Sequence, residues 1–182
     1  MSMKNTAIEQ KMVDDTRFYI DDANMRYLAT LRIKAYELGT IRLGDILRDY
    51  ADGLYTLDHT VVYRILENPD NEELQSEYRL YCSKKRNQLG TDDRNLESLL
   101  ALEASLSQMP YDIHKGAIVV DQHHIILEGQ HRSCVLLKLY GPDHTIPVVK
   151  VHRFIRNPRT RFRLLSRKPI AKSAMDGHAE HE

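Results

Sequence analysis

Hydrophobic residues change their period near residue 110. Before it they recur at three- and four-residue steps, as on one face of a helix; after it they come in short β-branched runs, as in buried strands. "DDANMRYLATLRIKAYELG" predicts a first helix capped by Asp21 or Asp22, with Met25, Leu28, Leu31, Ala35 and Leu38 on one face and Gly39 as its stop. "TIRLGDIL" reads as a short strand through Ile41, Leu43 and Asp45, although its tail equally suits the start of a helix. "LDHTVVYRILENP" predicts a short helix closed by Pro69. "DNEELQSEYRLYCSKKRN" places acids in its first turn and Lys84, Lys85 and Arg86 in its last, matching the helix dipole at both ends. "DDRNLESLLALEASLSQM" carries Leu96, Leu99, Leu102, Leu106 and Met109 at helical spacing.

Beyond Pro110, "GAIVVD" and "HIILEG" read as two strands joined by a tight reversal, without the Asn-Gly pair that marks the firmest hairpins. A helix over residues 131 to 140, ended by Gly141 and Pro142, and the strand "TIPVVKV" complete the series. Helices followed by a compact strand, strand, helix, strand unit give an expected α+β fold with a small mixed sheet.

Composition bounds what such a domain does. The chain has 182 residues, 42% hydrophobic and 29% charged, the profile of an ordinary globular protein. Cys82 and Cys134 are too far apart in sequence to suggest a disulfide framework or a zinc pair, so a reducing, cytoplasmic setting is expected. No apolar run approaches the roughly 18 residues of a membrane span, and "MSMKNTAIEQKMVDD" lacks the apolar core of a signal peptide. The net charge of zero hides an asymmetry: residues 1–150 hold 18 basic and 23 acidic groups, while eight basic residues (Arg153, Arg156, Arg159, Arg161, Arg163, Arg167, Lys168, Lys172) face three acids in the remainder. Such a segment either folds back onto the acidic body or meets an acidic partner, an anionic surface or nucleic acid.

The chemistry concentrates in "IILEGQHRSCVLLKLYG", where Glu128, Gly129, Gln130, His131 and Arg132 interrupt an apolar run. Gly129 permits a sharp turn from strand to helix, and the first turn of that helix offers unpaired N–H groups to an anion. Arg132, with His131 beside it, stands at this opening, and a guanidinium holds a phosphate through two hydrogen bonds. Glu128 fits there only if it grips a metal ion, a hydroxyl or a proton. Plainer readings stand beside these: a turn glycine, an Arg132–Glu128 pair, and Cys134 as a packed core residue rather than a nucleophile.

The stretch "YDIHKGAIVVDQHHIILEGQHRSCVLLKLYGPDHTIPVVKV", residues 111–151, resembles the core of the ParB/sulfiredoxin superfamily. The matching positions are Ile118, Val119, Val120, Ile126, Gly129, His131, Arg132, Leu137, Gly141 and the Ile146-Pro147-Val148 run, and with the preceding helix the likeness covers about a third of the chain. It implies a ParB/sulfiredoxin-like domain over residues 40–152 with a helical insertion at about 56–90, a helical extension over 1–39, and a basic, partly disordered tail over 153–182. It also implies a nucleotide site, since members of the superfamily hold CTP or ATP at this box; Gly129, Gln130, His131 and Arg132 would then line the phosphates. Sulfiredoxins carry their reactive cysteine where this chain has Gln130, so sulfinic acid reduction is not expected. The roughly 30 residues after the core are fewer than the helix-turn-helix domain of the partition proteins needs.

Most similar is a group of stand-alone ParB-like proteins with an "ILDGQHR" type of box, commonly encoded among bacterial surface-polysaccharide genes. The resemblance therefore implies an ATP- or CTP-dependent phosphotransferase or hydrolase acting with Mg on a small hydroxyl substrate such as a sugar or its precursor. Glu128, His131 and Asp45 are its candidate catalytic residues and Glu128 its candidate metal ligand, Asp45 reading equally as a helix cap or solvated acid. The competing expectation is a non-catalytic, nucleotide-gated module that recruits a protein or nucleic acid through residues 153–172. Tyr50, Tyr55 and Tyr63 are candidates to stack on a base. Metal binding is not expected at His123 and His124, whose side chains would point to opposite faces, nor at His178 and His181.

Overall fold

The computed structural model describes residues 28, 30–86, 94–155, 160 and 164. Its strands are β1 (Ile33–Arg42), β2 (Leu47–Asp49), β3 (Leu54–Thr56), β4 (Val119–Asp121), β5 (Ile126–Glu128) and β6 (Thr145–Arg153). Among the described residues four helices of seven residues or more accompany them: α1 (Val61–Glu67), α2 (Glu72–Arg86), α3 (Arg94–Gln108) and α4 (Gln130–Tyr140). The fold is α+β, with a four-stranded mixed sheet in the order β1-β6-β4-β5 and a separate β2–β3 hairpin. None of these helices is long and apolar enough to cross a membrane.

β6 holds the sheet together, pairing antiparallel with β1 and parallel with β4. Its alternation explains that position: Ile146 and Val148 enter one buried cluster, Val149 and Val151 another on the opposite face. The first cluster packs the sheet against α1 and α4 through residues such as Ile65, Leu66, Val135 and Leu136. The second is closed by Leu28, Ile33 and Ile113. Fully burying each such side chain contributes about 1.5–3 kcal/mol. Pro147, which has no N–H to donate, lies opposite Thr40 of β1, ahead of Val149 where pairing with β4 begins.

The helix expected over residues 21–39 is a strand in its second half. Residues 28 and 30 are helical, residues 21–27 and 29 lie outside the described ones, and β1 starts at Ile33. Pairing with β6 along its length satisfies the β1 backbone on one edge, and only Ile33 and Ile41 of the strand are buried. Leu38, assigned to the buried helical face, is 59% exposed. The strand expected through Ile41, Leu43 and Asp45 accordingly ends at Arg42, where a 3-10 turn (Leu43–Asp45) takes over. The division expected at residue 39 thus falls inside β1, and the basic segment expected from residue 153 begins on the last residue of β6.

Two local devices explain turns that periodicity did not resolve. In the β4–β5 hairpin, the Asp121 carboxylate accepts the N–H groups of His123 (2.9 Å) and Ile125 (3.0 Å), performing the work expected of an Asn-Gly pair. His124 there adopts φ 66°, left-handed backbone for a non-glycine residue. The β2–β3 hairpin, absent from the sequence reading, turns through Asp52-Gly53 with the Tyr50 N–H on the Gly53 carbonyl at 2.9 Å. Leu47 then joins β2 to the large sheet, its N–H reaching the His124 carbonyl at 2.9 Å.

Asp121 also anchors the chain after β6. It is fully buried, and its Oδ2 receives both Nε and Nη2 of Arg153 at 2.9 Å. Removing one member of a buried pair strands the other charge, at a cost of about 3–5 kcal/mol. Urea denaturation should therefore show Asp121→Ala destabilised by about that amount, and Asp121→Asn by less, because an amide oxygen still accepts from the turn.

Candidate functional site

One residue separates β5 from α4. Gly129 makes that connection at φ 84° and ψ 22°, in the left-handed region, and stands at the N-cap without a side chain. Its backbone is pressed onto the start of β4: a Cβ there would lie 2.9 Å from Ile118 Cγ1 and 3.0 Å from Ile118 Cα. Ser133 completes the turn, its N–H and hydroxyl both donating to the Gly129 carbonyl at 2.8 and 2.9 Å. The N–H groups of the first turn of α4 have no intrahelical acceptor and point out of the helix end, together with the positive end of its dipole.

The three side chains that follow take separate directions. Gln130 is 4% exposed, and its Oε1 accepts the Tyr81 hydroxyl at 2.8 Å. Its amide group also lies beside the Tyr50 hydroxyl. Nε2 nevertheless closes no hydrogen bond of good geometry among the described residues. His131 turns toward α2, where its Nε2 and the Tyr78 hydroxyl share a hydrogen bond of 3.1 Å. Arg132 turns to the other side and lays its guanidinium over Gly116, where a Cβ would fall 2.6 Å from Cζ. Tyr111 stands close by, accepting the Ile118 N–H at 3.1 Å. Its hydroxyl is pushed up to about 12, mainly by burial, while the Arg132 charge and the Ile118 hydrogen bond act the other way.

The opening of α4 is thus flanked by the α2 tyrosines on one side and residues 111–116 on the other. Tyr78 and Tyr81 stack with ring centroids 6.2 Å apart, and Tyr78 is 1% exposed. Neither had been singled out in the sequence, although their i, i+3 spacing on an amphipathic helix puts them on one face. Gly116 was missed too; its role exists only because Arg132 arrives from sixteen residues further along the chain. Of the tyrosines that were singled out, Tyr50 reaches Gln130 and meets Tyr55 edge-on at 5.8 Å, while Tyr63 packs against the core on α1.

The candidate carboxylates are not brought together. Glu128 ends β5 immediately before Gly129 and is partly exposed. Asp45 lies beside the opposite end of α4, where the Gly44 N–H donates to the Pro142 carbonyl at 2.9 Å, and a helix of this length separates the two ends by roughly 15 Å. Arg42 binds it through Nε and Nη2 at 3.1 and 2.9 Å, and this pairing holds the Asp45 carboxyl below its usual range. Asp45 is thus paired with Arg42 and stands apart from Glu128. No three His, Cys, Asp or Glu side chains among the described residues converge to hold a metal ion. A magnesium ion at Glu128 would take its other ligands from phosphate oxygens and water, its usual manner of binding.

Cys134 is fully buried one turn into α4, with the Thr60 hydroxyl 3.5 Å from its Sγ. Burial pushes its thiol up to about 12, which leaves almost no thiolate near neutrality. Most of the basic segment, including Arg156, Arg159, Arg161, Arg163, Arg167, Lys168 and Lys172, lies outside the described residues, as do His178 and His181. No protein-family model, curated protein or solved structure matches the chain, so a functional reading rests on its own residues.

Two outcomes follow from these environments. Cys134 should resist iodoacetamide at pH 8 in the native protein and react once the chain is unfolded in urea. Cys134, Tyr81 and Tyr111 all have folded values raised to about 12 by burial, against ordinary values of 9.0 for the thiol and 10.0 for the phenols. The folded state then retains protons that the unfolded state releases, so the contribution of these three groups to stability should be constant below about pH 9, and stability should fall steadily from there toward pH 12 in urea titrations.

Proposed function

We propose that the chain binds the phosphates of a nucleoside triphosphate, with Mg²⁺, at the first turn of α4, and acts as a phosphotransferase or hydrolase on a small hydroxyl-bearing substrate. The observation that carries this reading is the left-handed Gly129 opening α4 beside an arginine whose guanidinium is seated on a glycine. The amide end of a helix and a guanidinium at one opening suit a polyanion better than any neutral ligand. The ParB/sulfiredoxin resemblance points the same way and supplies the candidates ATP and CTP.

In this reading the α4 amides and Arg132 hold phosphate oxygens, and His131, oriented by Tyr78, faces the charge that develops during transfer. The Gln130 side chain is committed to Tyr81 and contributes through its backbone N–H. Glu128 takes the roles that were shared with Asp45: it holds Mg²⁺ or accepts the proton of the attacking hydroxyl. The bond between the γ-phosphorus and the bridging oxygen breaks, a new bond to the substrate oxygen forms, its proton passes to Glu128 or to water, and the nucleoside diphosphate leaves; Mg²⁺, where Glu128 holds it, would supply charge neutralisation for the phosphates. A sugar or sugar precursor is the acceptor that the likeness to polysaccharide-associated proteins suggests.

Calorimetry with ATP and CTP in the presence of Mg²⁺ tests the binding step. Wild-type protein should bind one of them, and Arg132→Ala should weaken that binding by about 10- to 100-fold, the equivalent of 1.5–3 kcal/mol for a hydrogen-bonded charge. Gly116→Ala should leave the melting temperature nearly unchanged, because a flexible guanidinium can move aside, yet weaken binding several-fold by unseating Arg132. Equal affinity in all three proteins, or no nucleotide binding at all, overturns the proposal. Binding without phosphate transfer to any hydroxyl or water would leave the nucleotide-gated module as the reading.

A further inference from the structure

Residues 111–118 border the α4 opening on the side of Arg132, and Tyr111 closes this segment on itself. Asp112 accepts the His114 N–H on its side chain at 2.9 Å and the Lys115 N–H on its carbonyl at 3.1 Å, which winds Ile113–Lys115 into a 3-10 turn. The Tyr111 hydroxyl then accepts the Ile118 N–H at 3.1 Å and ties the two ends of the segment together. The tyrosine ring packs against both apolar clusters, so the hydroxyl is held in place by the core as well as by the hydrogen bond.

That hydroxyl stands where the two close approaches of the opening meet. Ile118 is the residue against which Gly129 is pressed, and Gly116, two positions earlier, lies under the Arg132 guanidinium. The Arg132 charge acts on the phenol, while burial keeps its proton in place near neutrality. A phenol oxygen that accepts one hydrogen bond still has its own proton to give. Among the described residues that proton meets no acceptor, and the Arg132 guanidinium makes no hydrogen bond or ion pair. A neutral donor and a charged one thus border the same opening, and an anion with several oxygens would satisfy both at once.

We propose that Tyr111 is a phosphate-binding residue of this site: its hydroxyl donates to an oxygen of the phosphate that Arg132 holds, while its oxygen stays tied to the Ile118 N–H. The inference rests on the nucleotide reading of the α4 opening and adds to it a residue from outside the run from Glu128 to Arg132. The two groups divide the task. The guanidinium is flexible and supplies charge, whereas the phenol is fixed by Ile118 and the core and supplies direction. A donor held in this way needs no rearrangement when the phosphate arrives, which is what makes a preorganised hydrogen bond effective.

Calorimetry with Mg²⁺ and whichever of ATP and CTP the wild-type protein binds is repeated on Tyr111→Phe, at a temperature where both proteins are folded. Loss of one hydrogen bond to a charged group should weaken binding by about tenfold. Phenylalanine also strands the Ile118 N–H, so a second variant separates donation from support. With 3,5-difluorotyrosine at position 111 the oxygen that accepts from Ile118 remains, the phenol ionises at lower pH, and its ¹⁹F resonance reports that ionisation. The ionised phenol has no proton to donate, so affinity should fall as it forms. By linkage, saturating nucleotide should raise the pH at which the ¹⁹F resonance titrates, by about one unit for a tenfold loss of affinity. A wild-type protein that binds neither nucleotide overturns the reading of the α4 opening and this proposal with it. If wild type binds and Arg132→Ala weakens binding, the nucleotide reading stands; Tyr111 is then only a support of its segment should Tyr111→Phe bind as tightly as wild type, or should nucleotide leave the ¹⁹F titration unmoved.

Discussion

Everything around the α4 opening depends on how closely Gly129 approaches Ile118. The chain passes from strand to helix through a single residue in left-handed backbone, and a side chain there would meet Ile118, just before β4. The same contact seats α4 on the sheet, which buries Cys134, Val135 and Leu136 and directs the helix to the start of β6. It also fixes where α4 begins, so one steric constraint positions both the core and the candidate site. A larger residue would disturb both together.

The polar residues buried near this turn are arranged as a continuous series rather than as isolated groups. Tyr81 holds Gln130, Gln130 adjoins Tyr50, and the Tyr50 ring faces the Arg48 guanidinium. Hydrogen bonds in such surroundings are stronger than in water, and unsatisfied donors are correspondingly costly. Gln130 Nε2 and Arg48 Nε, which meet no acceptor of good geometry among the described residues, lie on this series. A globular core could have placed leucines there, and their absence is what sets this region apart from the apolar clusters on either face of the sheet. On the far side, Asp121 combines two tasks, forming the β4–β5 turn and anchoring Arg153, so the first residue of the basic segment is part of the folded domain.

Long, strongly periodic segments were legible from the sequence. α1, α2, α3 and α4 each lie within a stretch whose apolar spacing or end charges marked a helix, and β4, β5 and β6 coincide with β-branched runs bounded by turn residues. These signals are local, since a residue's period and its capping chemistry do not depend on distant parts of the chain. Gly129 and Arg132 were recognisable for the same reason: a glycine between a strand and a helix, followed by a cation, has a local meaning. β1 was misread because its apolar residues suit a helix as well as a strand, and the choice was made by β6, more than a hundred residues away in sequence.

The amino-acid sequence by itself determined the α+β composition, most of the element order and the position of the strand-to-helix turn, because each follows from interactions among residues within a few positions of one another. Only the tertiary structure decided which polar side chains meet. It placed Gly116 under Arg132, Tyr78 against His131 and Tyr81 on Gln130, and it separated Asp45 from Glu128 by the length of a helix. Those outcomes depend on how the elements pack in space, and side-chain contacts between distant segments leave no periodicity in the sequence from which they could be read.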